Sequence, residues 1–75
     1  RMQPATRLKA ERRVEEIATP LGPARVKLKL IGGQPVAVAP EYEDCRALAE
    51  RLGLAIETVR ERLSHAARLH FGLEG

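Results

Sequence analysis

The chain has 75 residues, a mass of 8.3 kDa and a formal net charge of +3. A chain this short forms one small domain with a thin core, because it buries only about 60% of the surface that it exposes when unfolded, and this excludes a self-contained enzyme with a deep cleft. Its hydrophobic fraction of 44% is typical of a folded domain, and its aromatic fraction of 3% excludes a protein that binds single-stranded nucleic acid by base stacking.

The first half of the sequence predicts three β-strands after a disordered N-terminal arm over residues 1–7. The first strand begins at Leu8, and its apolar alternation changes phase at Glu15 and Glu16, where we expect a β-bulge. A turn over residues 19–23 follows, because its Pro and Gly residues favour a tight reversal. The second strand has strict period two, with an apolar face and a basic face: Val26, Leu28 and Leu30 against Arg25, Lys27 and Lys29.

A Gly-Gly turn at residues 32–33 leads into the third strand. A two-residue loop would pair Lys29 with Val36, which would put a charge beside an apolar side chain. A three-residue loop over residues 31–33 pairs Leu28 with Val36 instead. We expect the three-residue loop, because burial of one face fixes the register of a strand.

Two amphipathic helices complete a β-β-β-α-α order over residues 8–75. The first helix is expected to begin at Pro40 and to end at Gly53, and the second to run from about Ile56 to Phe71. We therefore expect an α+β fold in which two helices pack on one face of an antiparallel meander. The predicted buried stripes are Tyr42, Cys45, Leu48 and Leu52 on the first helix, and Ile56, Val59, Leu63, Ala66 and His70 on the second.

The positive charge is unevenly distributed along the chain. Residues 1–39 hold eight Lys/Arg and three Glu, a net charge of +5, whereas residues 40–75 hold five Arg and seven Asp/Glu, a net charge of −2. Either the two halves attract each other, within the fold or between copies, or the basic groups bind an anion and the acidic groups bind a metal.

Three carboxylates crowd the expected start of the first helix, at Glu41, Glu43 and Asp44. They either compensate the helix dipole or ligate a divalent cation such as Mg²⁺ or Mn²⁺, which prefers oxygen ligands. Helical spacing puts Glu41 and Asp44 on one face and Glu43 elsewhere. A metal site would therefore need further ligands from a phosphate or a second chain.

The basic strand residues Arg25, Lys27 and Lys29 are candidate nucleotide-binding residues. Their charges suit a triphosphate or a nucleic-acid backbone. The alternative is a solvated strand face that protects a sheet edge from aggregation.

The remaining metal-binding residue types do not predict a site. Cys45 is the one cysteine, which excludes an internal disulfide and favours a reducing, cytoplasmic location. It lies in the apolar stripe and is predicted to be a core residue. His65 and His70 are five residues apart on one helix, so they do not easily share a metal. No apolar run is long enough to span a membrane, and no signal peptide is visible.

Two alternative functions fit the helical half. Residues 48–59 resemble a helix-turn-helix, with a glycine turn between two short helices, and this pattern is consistent with a DNA-binding module, including a winged helix. The two-helix segment is net acidic, which argues against binding to phosphates. A purely structural oligomerisation domain is the other alternative.

Two strings carry a resemblance to a known family: TPLGPARVK at residues 19–27 and APEYEDCR at residues 39–46. They resemble the C-terminal end of the LarC-type nickel insertases, which complete the nickel-pincer cofactor of lactate racemase. The resemblance covers residues 12–69. Two positions depart from the family pattern, Ala55 and Arg60, where the family usually has proline and tyrosine.

The resemblance implies a piece of a CTP-dependent cyclometallase, of the lyase class, with a ferredoxin-like character. In that family CTP and Mn²⁺ or Mg²⁺ bind in the C-terminal region, and the protein forms a homo-oligomer that acts on the pincer-cofactor precursor. The residues it carries over are Arg25, Lys27, Glu41, Glu43 and Asp44. The N-terminal part that is expected to handle nickel has no counterpart in this sequence, so we expect this segment to be inactive alone.

Overall fold

A computed structural model describes residues 9–73 of the chain. The elements follow the predicted order of three strands and two helices, which confirms the α+β fold. Their bounds are β1 Ala10–Ile17, β2 Ala24–Ile31, β3 Gln34–Pro40, α1 Tyr42–Leu52 and α2 Ile56–His70. The arm predicted over residues 1–7 lies outside the described residues.

The three strands form one antiparallel sheet in the order β1-β2-β3. Central β2 alternates as predicted: Val26, Leu28 and Leu30 are buried, and Arg25 and Lys27 are exposed. The two helices cover the sheet face to which the buried β2 residues belong, and α2 packs on β3 and α1. The opposite face of the sheet stays open to solvent.

The bulge predicted in β1 is wrong. The strand pairs with β2 in an unbroken register, with Val14 opposite Lys27 and Ile17 opposite Ala24. Val14 therefore lies on the open face and is 56% exposed, whereas Ile17 is buried under α2. The two apolar residues need no common face, because β1 joins the core through its last residue.

The loop predicted between β2 and β3 is also wrong. The loop has two residues, since Ile31 pairs with Gln34, and the register then shifts so that Lys29 pairs with Ala37. Val36 is the extra residue of this β-bulge, and it is 46% exposed. The bulge places Val38 opposite Leu28, so that apolar residues of β3 lie beside the buried residues of β2. A three-residue loop is therefore not needed to achieve this pairing.

The first helix begins later than predicted. Pro40 is the last residue of β3, where it is buried opposite Val26, and Glu41 occupies the N-cap position. Tyr42 is predicted to be buried, but its side chain is 61% exposed in the first turn. Gly53 ends the helix in the left-handed conformation, with φ of 68°, as predicted. The buried residues of α1 are Cys45, Leu48 and Ala49, and Leu52 of the predicted stripe is 42% exposed.

The second helix buries one stripe against the sheet and α1. Val59 and Leu63 are fully buried as predicted, and Ala67 continues the stripe in place of Ala66 and His70. The replacement follows from the helical period, because steps of four residues from Val59 lead through Leu63 to Ala67. The core holds Ala24, Cys45, Leu48, Ala49, Val59 and Leu63 in one cluster and Ile17, Val26 and Ala67 in a second.

Candidate functional site

The two strings that carry the family resemblance meet where β2 begins and α1 begins. The backbone N–H of Glu41 donates to the carbonyl oxygen of Arg25 at 2.9 Å. The Thr19–Gly22 turn closes before β2 through hydrogen bonds in both directions between its first and last residues, at 2.9 and 3.2 Å. The structure thus holds the turn, the strand start and the helix start together.

Asp44 is fully engaged by Arg25 at this junction. Its Oδ2 accepts the backbone N–H of Arg25 at 2.7 Å, and its Oδ1 accepts guanidinium Nη2 at 2.6 Å and Nε at 3.1 Å. The guanidinium hydrogen bond lowers the pKa of Asp44 from its ordinary value and raises the pKa of Arg25. The Asp44 side chain is 15% exposed and that of Arg25 is 56% exposed, so the carboxylate is the enclosed partner.

The other two carboxylates each have a different basic partner. Glu41 Oε1 lies 4.0 Å from Lys27 Nζ, and Glu43 Oε1 accepts Arg46 Nη2 at 2.8 Å. Within residues 9–73, no three His, Cys, Asp or Glu side chains are grouped closely enough to hold a metal ion. The described carboxylates therefore do not form a complete divalent-cation site by themselves, and water or phosphate oxygens would have to supply further ligands.

The three predicted nucleotide-binding residues lie in two separate grooves. Lys27 and Lys29 line a groove of about 400 Å³ on the open sheet face. Cross-strand pairing places Ala39 beside Lys27 and Ala37 beside Lys29, and these small side chains leave the groove shallow. Arg25 belongs to a second groove of about 320 Å³, between the start of β2 and α1.

Arg51, which is not among the predicted site residues, also lines this second groove. Its Nη2 lies 3.4 Å from the carbonyl oxygen of Leu21 in the turn. Gly22 has φ of +121°, and a Cβ there would lie 3.1 Å from the same nitrogen. Arg51 follows Asp44 by seven residues on one helix, so the spacing places both on one face. This spacing would have allowed Arg51 to be predicted as a neighbour of Asp44.

The soft metal ligands do not form a site among the described residues. Cys45 is fully buried, and burial raises the pKa of its thiol, as expected for a core cysteine. The His70 ring packs edge-on against Phe71, with centroids 4.7 Å apart. His65 and His70 both border an open groove of about 800 Å³ between α2 and the β1–β2 turn.

Comparison with known proteins gives the family. The family model described as "Nickel insertion protein" matches residues 1–60. The chain belongs to the nickel insertion protein family. The predicted resemblance is therefore confirmed.

Curated relatives extend the match across the chain. A putative nickel insertion protein of Geobacter sulfurreducens is 50% identical over 60 residues, which are 79% of this chain and 15% of that protein. One of Syntrophotalea carbinolica is 35% identical over 75 residues, which are 100% of this chain and 19% of that protein. The pyridinium-3,5-bisthiocarboxylic acid mononucleotide nickel insertion protein of Desulfitobacterium hafniense is 36% identical over 53 residues, 71% of this chain and 13% of that protein. The chain thus spans less than a fifth of these relatives.

A solved structure has the same fold. It is the apo form of the C-terminal domain of LarC, a cyclometallase involved in the synthesis of the NPN cofactor of lactate racemase. The TM-score is 0.66 at 29% sequence identity, with 77% of this chain and 40% of that chain covered.

None of the helices in residues 9–73 has the length and apolar character to cross a membrane.

Proposed function

We propose that this chain serves as the C-terminal domain of a LarC-type nickel insertase, which completes the nickel-pincer cofactor of lactate racemase in the cytoplasm. The observation that carries the proposal is the match of 77% of the chain to the solved LarC C-terminal domain. Nickel is a substrate of the whole enzyme and is handled outside this chain. We expect activity to need the rest of the insertase, because this chain spans less than a fifth of its curated relatives.

The domain contributes nucleotide binding, and CTP is the nucleotide. Lys27 and Lys29 supply two positive charges on an open and shallow face, where a triphosphate can approach without displacing the core. Lys27 is available for this role, because its pair with Glu41 is long, at 4.0 Å, and exposed pairs of this kind contribute only about 0–1 kcal/mol. Phosphate contacts by lysine act as point charges and tolerate this flexible geometry.

A divalent cation, Mn²⁺ or Mg²⁺, would enter with the nucleotide. It takes its ligands mainly from phosphates and water, as Mg²⁺ usually does in nucleotide sites. The carboxylates Glu41, Glu43 and Asp44 are each paired with a basic side chain. A direct role in metal binding requires one of them to leave its partner, and Asp44 is the most firmly held.

The domain also takes part in self-association. A chain of this size has a thin core, and its sheet has one open face with Val14 exposed on it. An assembly of copies, or contact with the rest of the insertase, covers such a face. A purely structural oligomerisation domain would share this property, so nucleotide binding is the discriminating test.

Thermal unfolding of the intact protein with CTP and Mn²⁺ tests the proposal. Ligand that binds the folded state raises the melting temperature by mass action. We expect protection in the wild type and in the matched control Arg60→Ala, which removes an exposed charge on α2 that is paired with Glu57. We expect reduced protection in the double variant Lys27→Ala/Lys29→Ala. Equal protection in all three proteins would refute the sheet-face assignment.

Sedimentation of the intact protein separates the remaining functions. A stable assembly with no affinity for CTP and metal would favour the structural oligomerisation domain. Binding to a random DNA duplex that weakens steeply with salt would favour the DNA-binding module. The proposed function predicts neither result.

A further inference from the structure

Strand β1 is an edge strand of the sheet, because among the described residues it pairs with β2 and with no other strand. An edge strand presents a row of backbone N–H and C=O groups to which a further strand can bind. No proline interrupts β1 between Ala10 and Ile17, and the strand keeps its register with β2 over all eight residues. The side chains of β1 therefore decide which strand fits this edge.

The charges of β1 form two blocks around one apolar residue. The strand reads AERRVEEI, so that two arginines precede Val14 and two glutamates follow it. An edge with charges of one sign repels a second copy of itself, and such charges are a common protection against strand pairing. In β1 the order is different, because a reversed copy of the strand offers its glutamates where the first copy has its arginines. The strand is thus complementary in charge to its own antiparallel copy.

The charges also determine the register of this self-pairing. In an antiparallel pair with its two-fold axis at Val14, Arg13 lies opposite Glu15 of the second copy. Arg12 lies opposite Glu16 of the second copy in the same register. An axis at any of these four charged residues would instead place that residue opposite its own copy. Opposite charges that face each other across a strand pair stabilise it and like charges destabilise it, so the axis at Val14 is favoured.

Val14 gains an apolar neighbour in this arrangement. It lies on the open face of the sheet, where its neighbour on β2 is Lys27, and it is 56% exposed. The two-fold axis places it directly against Val14 of the second copy. Pairing of the strands therefore covers an exposed apolar side chain with an identical one.

The helices leave room for a second copy beside β1. Arg13 and Glu15 lie opposite Leu28 and Val26, on the sheet face that carries the helices, yet their side chains are 51% and 36% exposed. The helices lie over β2 and β3, and α2 reaches β1 at its last residue, Ile17. Within its own strand, Arg13 Nη1 is 3.6 Å from Glu15 Oε2, an exposed and weak pair that can be exchanged for contacts with a second copy.

We propose that β1 pairs with β1 of a second copy in a two-fold symmetric, antiparallel arrangement centred on Val14, which joins the two sheets into one. The inference rests on the proposed function, because it assigns an interface to the self-association proposed there. It specifies the strand, the symmetry and the register of that association.

Disulfide cross-linking of the intact protein tests the register. Directly opposed residues of an antiparallel pair have Cα atoms about 4.5–5.5 Å apart, a distance that a disulfide bridges. Val14→Cys should therefore form a covalent dimer on oxidation. Arg12→Cys should not cross-link with itself, because a rise of about 3.4 Å per residue places the two copies of this position roughly 14 Å apart. A mixture of Arg12→Cys with Glu16→Cys should cross-link.

All three positions are exposed and the native Cys45 is fully buried, so the introduced thiols are the reactive ones. If Val14→Cys forms no dimer, or if Arg12→Cys alone cross-links as well as Val14→Cys, the proposed register is overturned. The first of these results is also expected if another part of the insertase occupies the edge of β1.

Charge reversal tests the contacts across the axis. Arg13→Glu and Glu15→Arg each place like charges opposite each other, and each is expected to weaken self-association by about tenfold or more in sedimentation equilibrium. A mixture of the two variants should recover association, because the acidic strand of one variant then meets the basic strand of the other. Arg60→Glu reverses an exposed charge on α2 and is the control that should leave the dissociation constant unchanged. If the mixture does not recover, the contacts are refuted, since mixing cannot correct an effect within one chain.

These measurements separate the β1 interface from self-association in general. If the intact protein associates but neither cross-links at Val14 nor responds to the charge reversals, the β1 interface is overturned and the proposed self-association stands. If the intact protein stays monomeric in sedimentation, both proposals are overturned.

Discussion

Asp44 binds both the backbone and the side chain of Arg25. Its Oδ2 accepts the backbone N–H at 2.7 Å, and its Oδ1 accepts the guanidinium Nη2 at 2.6 Å. The two residues are 19 positions apart, one at the start of β2 and the other in the first turn of α1. Together with the Lys27–Glu41 contact, this pair shows that the basic and acidic halves of the chain attract each other within the fold.

The Arg25–Asp44 pair predicts a pH dependence of stability. Its hydrogen bond lowers the pKa of Asp44 below the ordinary value of 3.8. The pair therefore contributes its full stabilisation above the unfolded-state pKa of Asp44, which is about 3.8. This stabilisation is lost as the pH falls through the lower pKa of Asp44 in the folded state. Urea unfolding at several pH values should show a constant advantage of the wild type over Asp44→Asn above about pH 5, and a shrinking advantage in acid. An advantage that persists unchanged to pH 2 would contradict the assignment.

Substitution of Gly22 should destabilise the chain through both backbone and side-chain effects. Gly22→Ala places a Cβ at φ of +121° and 3.1 Å from Arg51, and we expect a loss of about 1–3 kcal/mol in the free energy of unfolding. Gly33→Ala is the control, because its φ of +80° is strained but its Cβ meets no atom within 4 Å. In an Arg51→Ala background the loss at Gly22 should decrease. If Gly22→Ala lowers the free energy of unfolding equally with and without Arg51, a steric contact between the two residues is contradicted.

Leu63 should be one of the largest single contributors to the core. It lies on α2 and is fully buried in the cluster that includes Cys45 and Leu48 of α1, so Leu63→Ala is expected to cost about 2–5 kcal/mol. Leu69 lies on the same helix but is 56% exposed, and Leu69→Ala should change stability by less than about 0.5 kcal/mol. Chemical denaturation of both variants checks the contrast. Similar costs at the two positions would mean that the exposed face of α2 is covered in solution.

Cys45 should resist thiol reagents while the chain is folded. The side chain is fully buried, and burial raises the pKa of its thiol, so little thiolate is present at pH 8. Alkylation should accelerate with urea in parallel with unfolding. A matched control is Glu43→Cys in a Cys45→Ala background, which puts the thiol on the exposed first turn and should react without denaturant. Rapid alkylation of native Cys45 would show that the helix pair opens.

Local periodicity predicted the elements but not all of their boundaries. The alternation of β2 and the stripe through Val59 and Leu63 were correct, because burial repeats with the period of each element. The predicted β2–β3 register was wrong, because the bulge at Val36 shifts the pairing by one residue after a two-residue loop. Tyr42 matches the helical period of α1 but is the first residue of the helix, where its side chain is 61% exposed.

The site was predicted as two sets of charges, and the structure shows how they combine. Arg25, Lys27, Glu41 and Asp44 were identified individually, yet their pairing depends on where α1 sits against β2. A period of two or of 3.6 residues assigns side chains to the faces of one strand or helix. It does not predict which face of α1 packs beside which face of β2, and so it does not predict a pair such as Arg25 and Asp44. Helical spacing places Arg51 on the face of α1 that carries Asp44, but it does not predict the contact of Arg51 with the Leu21 carbonyl in the turn.

The bulge at Val36 makes the two edges of the sheet unequal. In β3, Pro35 lacks an N–H and the bulge interrupts the regular spacing of the backbone groups. On the other edge, β1 keeps a regular register over eight residues. Of the two edge strands, β1 therefore has the more regular spacing of backbone donors and acceptors over the described residues.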